Sequence, residues 1–424
     1  MQAVGAEPVT LTMCVRMAML YHPGVQAAVV DVDIAQAQLA QARAARFLPK
    51  FELTSVIGPS PEARGNALVG DTDLSSLSVF TQTEATFVQP LFTFGKLDGA
   101  QHAAAAGVRA YEAGVEKSKA DLSLQVAEVY FGLQLANELW DLAQEAQGDF
   151  QKARDYVAQK LEDDEGDFTY TDLARIDRFA YDVTEKVNAA QKAKMLAESA
   201  MRLLLGLGQT DSLSVDRLGL VQAEPLPLAD YLFHANHRPE MHQLDAAIQA
   251  RKSLVRVAQS DLYPQVFLAG QFKYNYAPNR DDQNSPFAKD DFNFLQLGAV
   301  VGFKQSLAFG FNSANVKKAR LEHQKLGYQS ELAQKGVVIE IEKIYREWLE
   351  AQSNVDAAEK SRTATRRWSI AVRDGFNAGL EKASDMIEAV KEYGIIRAKY
   401  FEAVFNYNRA WARLQRATGQ PIVQ

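Results

Sequence analysis

The side chains able to do chemistry are few and scattered. Six histidines, at positions 22, 102, 234, 237, 242 and 323, include the His234/His237 and His237/His242 spacings that suit two ligands of one metal ion. No companion cysteine supports them, and His22 and His242 fall at turns, so a surface role is expected. The single cysteine, Cys14, excludes an intrachain disulfide and a zinc-thiolate cluster, and fits either a cytoplasmic or a cysteine-poor envelope protein. Leu11-Thr12-Met13-Cys14 has the outline of a lipidation site, but Met13 is bulky where a small residue is wanted and the apolar period runs through it, which predicts a buried helical cysteine. Gly206-Leu207-Gly208 lacks the preceding strand and following Lys-Ser/Thr of a phosphate loop and reads as a helix stop. Asp163-Asp164 sits in a polar loop as a solvated charge run. Asp385 and Glu388 lie three residues apart, hence on one helix face, where two like charges attract cations. No constellation for catalysis emerges, so neither an enzyme nor a cofactor is expected.

Bulk properties narrow the class. The chain has 424 residues, 47% apolar and 23% charged, with a net charge of −7, which is the composition of a folded protein without a general nucleic-acid footprint. No stretch reaches the roughly 18 apolar residues of a membrane-spanning helix. Met1 to Pro8 is too short and polar for a signal peptide, so an exported chain would have lost its signal.

The elements that must position these residues come in two copies. His22-Pro23-Gly24-Val25-Gln26 answers Arg238-Pro239-Glu240-Met241-His242, Phe47-Leu48-Pro49-Lys50-Phe51 answers Leu262-Tyr263-Pro264-Gln265-Val266, and Gln89-Pro90-Leu91-Phe92-Thr93-Phe94-Gly95 answers Gln305-Ser306-Leu307-Ala308-Phe309-Gly310. The seam Leu122, Val126, Val129, Leu133 answers Val337, Ile341, Ile344, Trp348, and Leu207-Gly208-Gln209 answers Thr418-Gly419-Gln420. Pairs in the same order at a nearly fixed offset mean duplication. All 13 prolines lie outside 91–224 and 287–420, and an interior proline costs a helix about 3 kcal/mol, so these blanks are where long helices are permitted. Their Ala, Leu, Glu, Lys, Gln and Arg content with 4-3-4 apolar spacing agrees. Each is broken once, at Leu161 to Gly166 and at Phe376 to Gly379, which predicts two helical hairpins with arms of about 60 to 100 Å.

Between the helices the period changes to two. Val266, Leu268, Phe272, Tyr274 and Tyr276 alternate with Phe267, Ala269, Gln271, Lys273 and Asn275, and Leu295, Leu297, Ala299, Val301 and Phe303 alternate with Gln296, Gly298, Val300, Gly302 and Lys304. Period two means strands. Phe51, Leu53 and Ile57, then Leu77, Val79, Ala85 and Phe87, repeat the pattern more weakly. The expected organisation is a first repeat over 9–210 (strands near 50–58 and 77–89, hairpin near 95–208), a linker over 211–227, and a second repeat over 228–420 (strands near 265–276 and 292–305, hairpin near 311–418). Four strands of bilayer-crossing length cannot close a useful barrel, and open edges are not tolerated in lipid. Several chains must contribute, with the apolar set outward and the polar set toward water.

The duplicated plan, the opening helix from Leu11 to Pro23, Phe47-Leu48-Pro49 before a strand and above all Gln89-Pro90-Leu91-Phe92-Thr93-Phe94-Gly95-Lys96 resemble the TolC-like outer-membrane efflux proteins over about residues 9–420. The resemblance implies a mixed α/β membrane protein: a homotrimer with a 12-stranded β-barrel, four strands per chain, continued by a long α-helical coiled-coil tunnel in the periplasm of a Gram-negative bacterium. It implies a passive exit duct of a tripartite efflux or type I secretion system, with outer-membrane lipid, a periplasmic adaptor and an inner-membrane pump as partners and no nucleic acid. It places a periplasmic tip, gate and adaptor contact at Gly166, Asp172, Gly379 and Glu381, and turns Asp385 and Glu388 toward the tunnel as a cation-selective constriction ring. Some members carry an arginine two residues after the second tip glycine for a closing salt bridge; this chain has Glu381 there, leaving Lys382, Arg175 or Arg178 as substitutes. Thr171-Asp172 and Ser384-Asp385 also suit plain helix starts. The rival reading is a periplasmic or cytoplasmic coiled-coil scaffold, which would purify without detergent.

Overall fold

A computed structural model describes residues 8–47, 49–65, 69–163, 168–283, 287, 289–378 and 380–423. The elements run α1 (Leu11–Tyr21), α2 (Pro23–Phe47), β1 (Lys50–Gly65), β2 (Gly70–Phe92), α3 (Lys96–Glu162), α4 (Tyr170–Leu205), α5 (Leu228–Phe233), α6 (Pro239–Ser260), β3 (Gln265–Tyr276), β4 (Phe294–Lys304), α7 (Phe309–Asn377) and α8 (Ala383–Thr418). Two compact units result, one of residues 1–30, 112–242 and 331–424, the other of 31–111 and 243–330.

The second unit holds one antiparallel sheet in the order β1-β2-β3-β4. Its register aligns the apolar sets: Phe51 faces Phe87, Leu53 faces Ala85, Ala85 faces Phe272, and Phe272 faces Leu297, while Val266 meets Phe303 and Leu268 meets Val301. A period-2 pattern in correct register gathers every strand's apolar residues on one face. That face is left uncovered by the chain itself, with Leu297 79% and Phe303 75% exposed. The other face carries Thr54, Glu84, Lys273 and Gln296 along one cross-strand row, and Gln271 donates to Glu84 at 2.8 Å. Phe87 lies across Gly270, where a Cβ would come within 2.1 Å of the ring, so a glycine lets the aromatic span the strand.

The β1–β2 hairpin runs past the expected ends near 58 and 77. Pro59 and Pro61 stand two residues apart, so both missing N–H groups fall on the same edge. In an edge strand that arrangement spares the ladder, and pairing continues through a register shift at Pro61/Glu62 to Gly65 and Gly70.

The first unit is helical. Leu122, Val126 and Leu133 of α3, Leu204 and Leu205 of α4 and Cys14 and Ala18 of α1 share its main core. Cys14 is fully buried, and that burial pushes its thiol up to about 11, which makes it an inert core residue. α4 and α8 end at Gly206 and Gly419 with φ of 68° and 72°, a left-handed cap that glycine adopts at no steric cost. Gly206-Leu207-Gly208 is thus a helix stop.

One charge cluster ties the two repeats together inside this unit. Arg416 of α8, 8% exposed, donates to Asp121 of α3 at 2.8 Å and to Glu240 of α6. Arg238 reaches Glu340 of α7 at 2.6 Å. Burial opposes ionisation of Asp121 and Glu240, yet hydrogen bonds from Lys117 and Arg416 to the first and from Arg416 to the second hold both below the usual carboxylate range. A depressed folded pKa contributes stability that is complete above the unfolded value, about 4, and is lost as pH falls through the folded one. Thermal melts should therefore show a loss of stability confined to pH below about 4. Arg416→Met, which takes one partner from each carboxylate but leaves Asp121 its Lys117 and Glu240 its Arg238, should cost about 2 kcal/mol at neutral pH; an unchanged melt would remove the cluster from the stability account.

Candidate functional site

The two hairpin tips gather the predicted residues within the first unit. Gly166 and Gly379 lie outside the described residues. Thr169 and Asp172 form a reciprocal capping box: the Thr169 hydroxyl accepts from Asp172 N–H at 3.2 Å, and the Asp172 carboxylate accepts from Thr169 N–H at 3.1 Å. Two orphan amides at the start of α4 are satisfied in this way. Arg175 stands 3.9 Å from the same carboxylate.

At the second tip Lys382 occupies the N-cap without a side-chain hydrogen bond. Glu381 is exposed and packs its stem against Gly375, where a Cβ would stand 2.7 Å from Glu381 Cγ. Asp385 accepts from Ser384 Oγ at 3.2 Å, and Glu388 is exposed one turn on. Neither carboxylate makes an ion pair among the described residues. Glu392 continues the same stripe at i+4 from Glu388, a third acid that the i,i+3 pair alone did not suggest. Of the candidate substitutes for a salt-bridge lock, Arg178 sits over Phe179 at 5.8 Å and Arg175 serves Asp172.

What joins the tips within one chain is aromatic. Phe168 of the first tip contacts Tyr156 of α3 and Phe376 of α7, each at a centroid distance of 5.9 Å. Beneath them Ile387 of α8 packs with Phe150, Val157 and Ile176 of the first hairpin. Arg154 and Asp177, 2.6 Å apart, tie α3 to α4. The arrangement binds the hairpins by apolar contact, and among the described residues it holds no acid–base or nucleophile pair. Elsewhere, the His234 and His237 rings are 6.0 Å apart, and among the described residues no three His, Cys, Asp or Glu side chains gather as a metal site. No helix of the described residues is long and apolar enough to cross a membrane.

The family model for the outer membrane efflux protein matches residues 15–207 and 234–420, once over each repeat. The chain belongs to the outer membrane efflux protein family. A curated relative, the outer membrane protein TolC of Vibrio cholerae serotype O1, is 26% identical over 178 residues, an alignment spanning 42% of this chain and 37% of that relative. The match thus covers well under half the relative's length. Among solved structures, the open state of the MtrE outer membrane channel of Neisseria gonorrhoeae superposes with a TM-score of 0.79 at 17% identity, covering 97% of this chain and 89% of that one. The CmeC outer membrane channel of Campylobacter jejuni gives 0.78 at 17%, covering 96% and 85%. These family members are channels rather than enzymes, and the fold is theirs: four antiparallel strands and two long helical hairpins per chain, from two tandem repeats.

If the aromatic contact holds the tips, Phe168→Ala should loosen them at a cost of about 1 kcal/mol, since Phe168 is only half-buried, read as faster limited proteolysis near residues 160–170 and 376–382. Cleavage no faster than in the unaltered protein would show that the tips are held elsewhere.

Proposed function

We propose that this chain is one protomer of a homotrimeric outer-membrane channel-tunnel, a passive exit duct without enzymatic activity for substrates that an inner-membrane pump delivers through a periplasmic adaptor. The observation that carries this reading is the sheet, which has one uncovered apolar face, one polar face and two edges, β1 as far as Pro61 and β4, that pair with no further strand among the described residues. Unpaired backbone is not tolerated in hydrocarbon. Three sheets of four strands joined edge to edge satisfy every edge around a water-filled lumen.

The helices flanking the sheet support the same closure. α2 buries Val25 and Ala35 but leaves Val30, Ile34, Ala37 and Gln41 exposed on its opposite side at 4-3-4 spacing. α7 buries Asn312, Val316 and Ser330 and leaves Ala314, Lys318, Leu321, Lys325 and Tyr328 exposed at the same spacing. Each is an unfilled heptad seam. Asp31 and Asp33 flank the one and lysines punctuate the other, so α2 of one protomer suits α7 of the next.

At the tips the reading assigns Asp385 and Glu388 to the tunnel lumen, six carboxylates by threefold symmetry, and Asp172, Glu381, Gly166 and Gly379 to the gate and adaptor contact. Their freedom from ion pairs supports the first assignment, since like charges in one constriction attract cations.

Two outcomes are expected. In detergent the protein should run at three times its 47.0 kDa mass, and Leu297→Arg, placing a charge in lipid at about 2 to 4 kcal/mol, should lower assembly, whereas Gln296→Arg on the polar face should alter conductance alone. A stable folded monomer, or equal effects of the two substitutions, would overturn the barrel. In planar bilayers the channel should be cation-selective and blocked by a trivalent cation from the tunnel side, and Asp385→Ala/Glu388→Ala should abolish both. Unchanged selectivity and block in an intact trimer would remove these acids from the mechanism.

A further inference from the structure

Residues 277–283 and 289–293, between β3 and β4, lie over the sheet's polar face at the end remote from the helices. β3 pairs with β2 only as far as Thr81, yet residues beyond Tyr276 reach across β2 to β1. Asn279 donates to Ser60 O at 3.0 Å, Arg280 to Pro61 O at 3.1 Å, and Ala63 N–H and C=O bond Asn279 O and Asp281 N–H in a parallel bridge. Asp281 accepts from Arg64 at 3.0 Å and from Gly65 N–H at 2.9 Å.

The covered face is identified by parity. Ser60, Phe80 and Asn275 belong to the polar sets of β1, β2 and β3. Ser60 is 1% and Asn275 4% exposed. Asn275 donates to Asp291 O at 2.7 Å, and Phe80 meets Phe292 edge to face at 5.5 Å. The Arg280 guanidinium sits 3.8 Å from the centre of the Phe292 ring, a cation–π contact that fills the same space.

The returning leg is fastened as firmly. Asp290 accepts N–H bonds from Gln283, Phe292 and Asn293 at 2.8 to 2.9 Å. Asn293 bridges the two legs, accepting from Ala277 N–H at 2.6 Å and donating to Arg280 O at 2.9 Å. These bonds fix residues 277–283 and 289–293 to the sheet and to each other, although Asn279 Oδ1 and Gln283 Oε1 are buried without a partner among the described residues. Backbone N–H of Gly65 and the Arg64 guanidinium hold Asp281 below the usual carboxylate range, and at Asp290 three backbone N–H groups do the same against the opposing effect of burial.

If the polar face lines the lumen, as the proposed function has it, these residues stand inside the barrel at its outer end. We propose that the legs 277–283 and 289–293 form a second constriction of the duct, in which Phe80, Phe292 and Arg280 from each of three protomers set the size of what leaves at the outer mouth. This narrowing is independent of the hairpin tips, so size selection and gating reside in different parts of the chain.

The test is polymer exclusion in planar bilayers, with neutral polyethylene glycols of graded size added on the barrel side only, so that the reading is insensitive to the state of the tips. Phe292→Ala/Arg280→Ala should admit larger polymers than the unaltered channel, seen as a shift of the conductance drop to higher polymer size. Arg64→Cys/Asp281→Cys, oxidised, should keep the original cut-off by holding the connection in place. An unchanged cut-off in an assembled, conducting Phe292→Ala/Arg280→Ala trimer would overturn the constriction. Failure of the unaltered protein to conduct at all would instead overturn the channel reading on which it rests.

Discussion

An unpaired backbone N–H or C=O in hydrocarbon costs several kcal/mol, and the sheet has two edges lined with such groups. That constraint organises the rest. Antiparallel pairing in the order β1-β2-β3-β4 satisfies the interior strands, and in the proposed trimer further copies of the same sheet satisfy the outer two while keeping one apolar and one polar face. The helices inherit the consequence. α2 enters β1 and α7 leaves β4, so the helices adjoining the open edges are the two with unfilled heptad seams. Sheet edge and helix seam demand the same neighbour.

Duplication explains why so much of this was legible in sequence. The strands announce themselves by period two, and the observed register brings the predicted apolar residues of all four onto one face, Phe51 against Phe87 and Phe272 against Leu297. Proline marked the long helices by its absence but misled at the first hairpin. Pro59 and Pro61 read as a loop, whereas on an edge strand their missing N–H groups cost no ladder bond. The fold of the β3–β4 connection over the polar face had no local signal at all. It depends on Asn279, Arg280 and Asp281 meeting Ser60 to Gly65, partners more than 200 residues distant, and nothing in composition specifies such a pairing. The Phe168–Phe376 contact was hidden for the same reason.

The Arg416 cluster shows how two repeats are made one body. Arg416 stands at the end of the second repeat, Asp121 in the first and Glu240 near the start of the second. A guanidinium with two carboxylates offers a planar fork that ammonium cannot match, and burial makes the geometry selective, because leaving any member unpaired is costly. Apolar packing among Leu122, Val126 and Met201 supplies most of the attraction in this region but little register. The charges supply register.

The tips show where equivalent positions have parted. Asp172 and Asp385 each stand in the first turn of a return helix, where an acid is favoured by the helix dipole. At the first tip Thr169 completes a capping box, so the Asp172 carboxylate is occupied by Thr169 N–H and hydroxyl. At the second, the N-cap is Lys382, whose side chain makes no cap, and Asp385 receives only the Ser384 hydroxyl. One difference at the N-cap thus decides whether the aspartate is consumed by its own helix. Glu388 and Glu392, on the same α8 face, extend the unconsumed charge along that helix. The positions of α4 that stand three and seven residues after Asp172, as Glu388 and Glu392 do after Asp385, instead hold Arg175, 3.9 Å from Asp172, and Phe179. The acid stripe proposed to select cations therefore belongs to the second repeat alone, and the first repeat's tip is built to hold its shape.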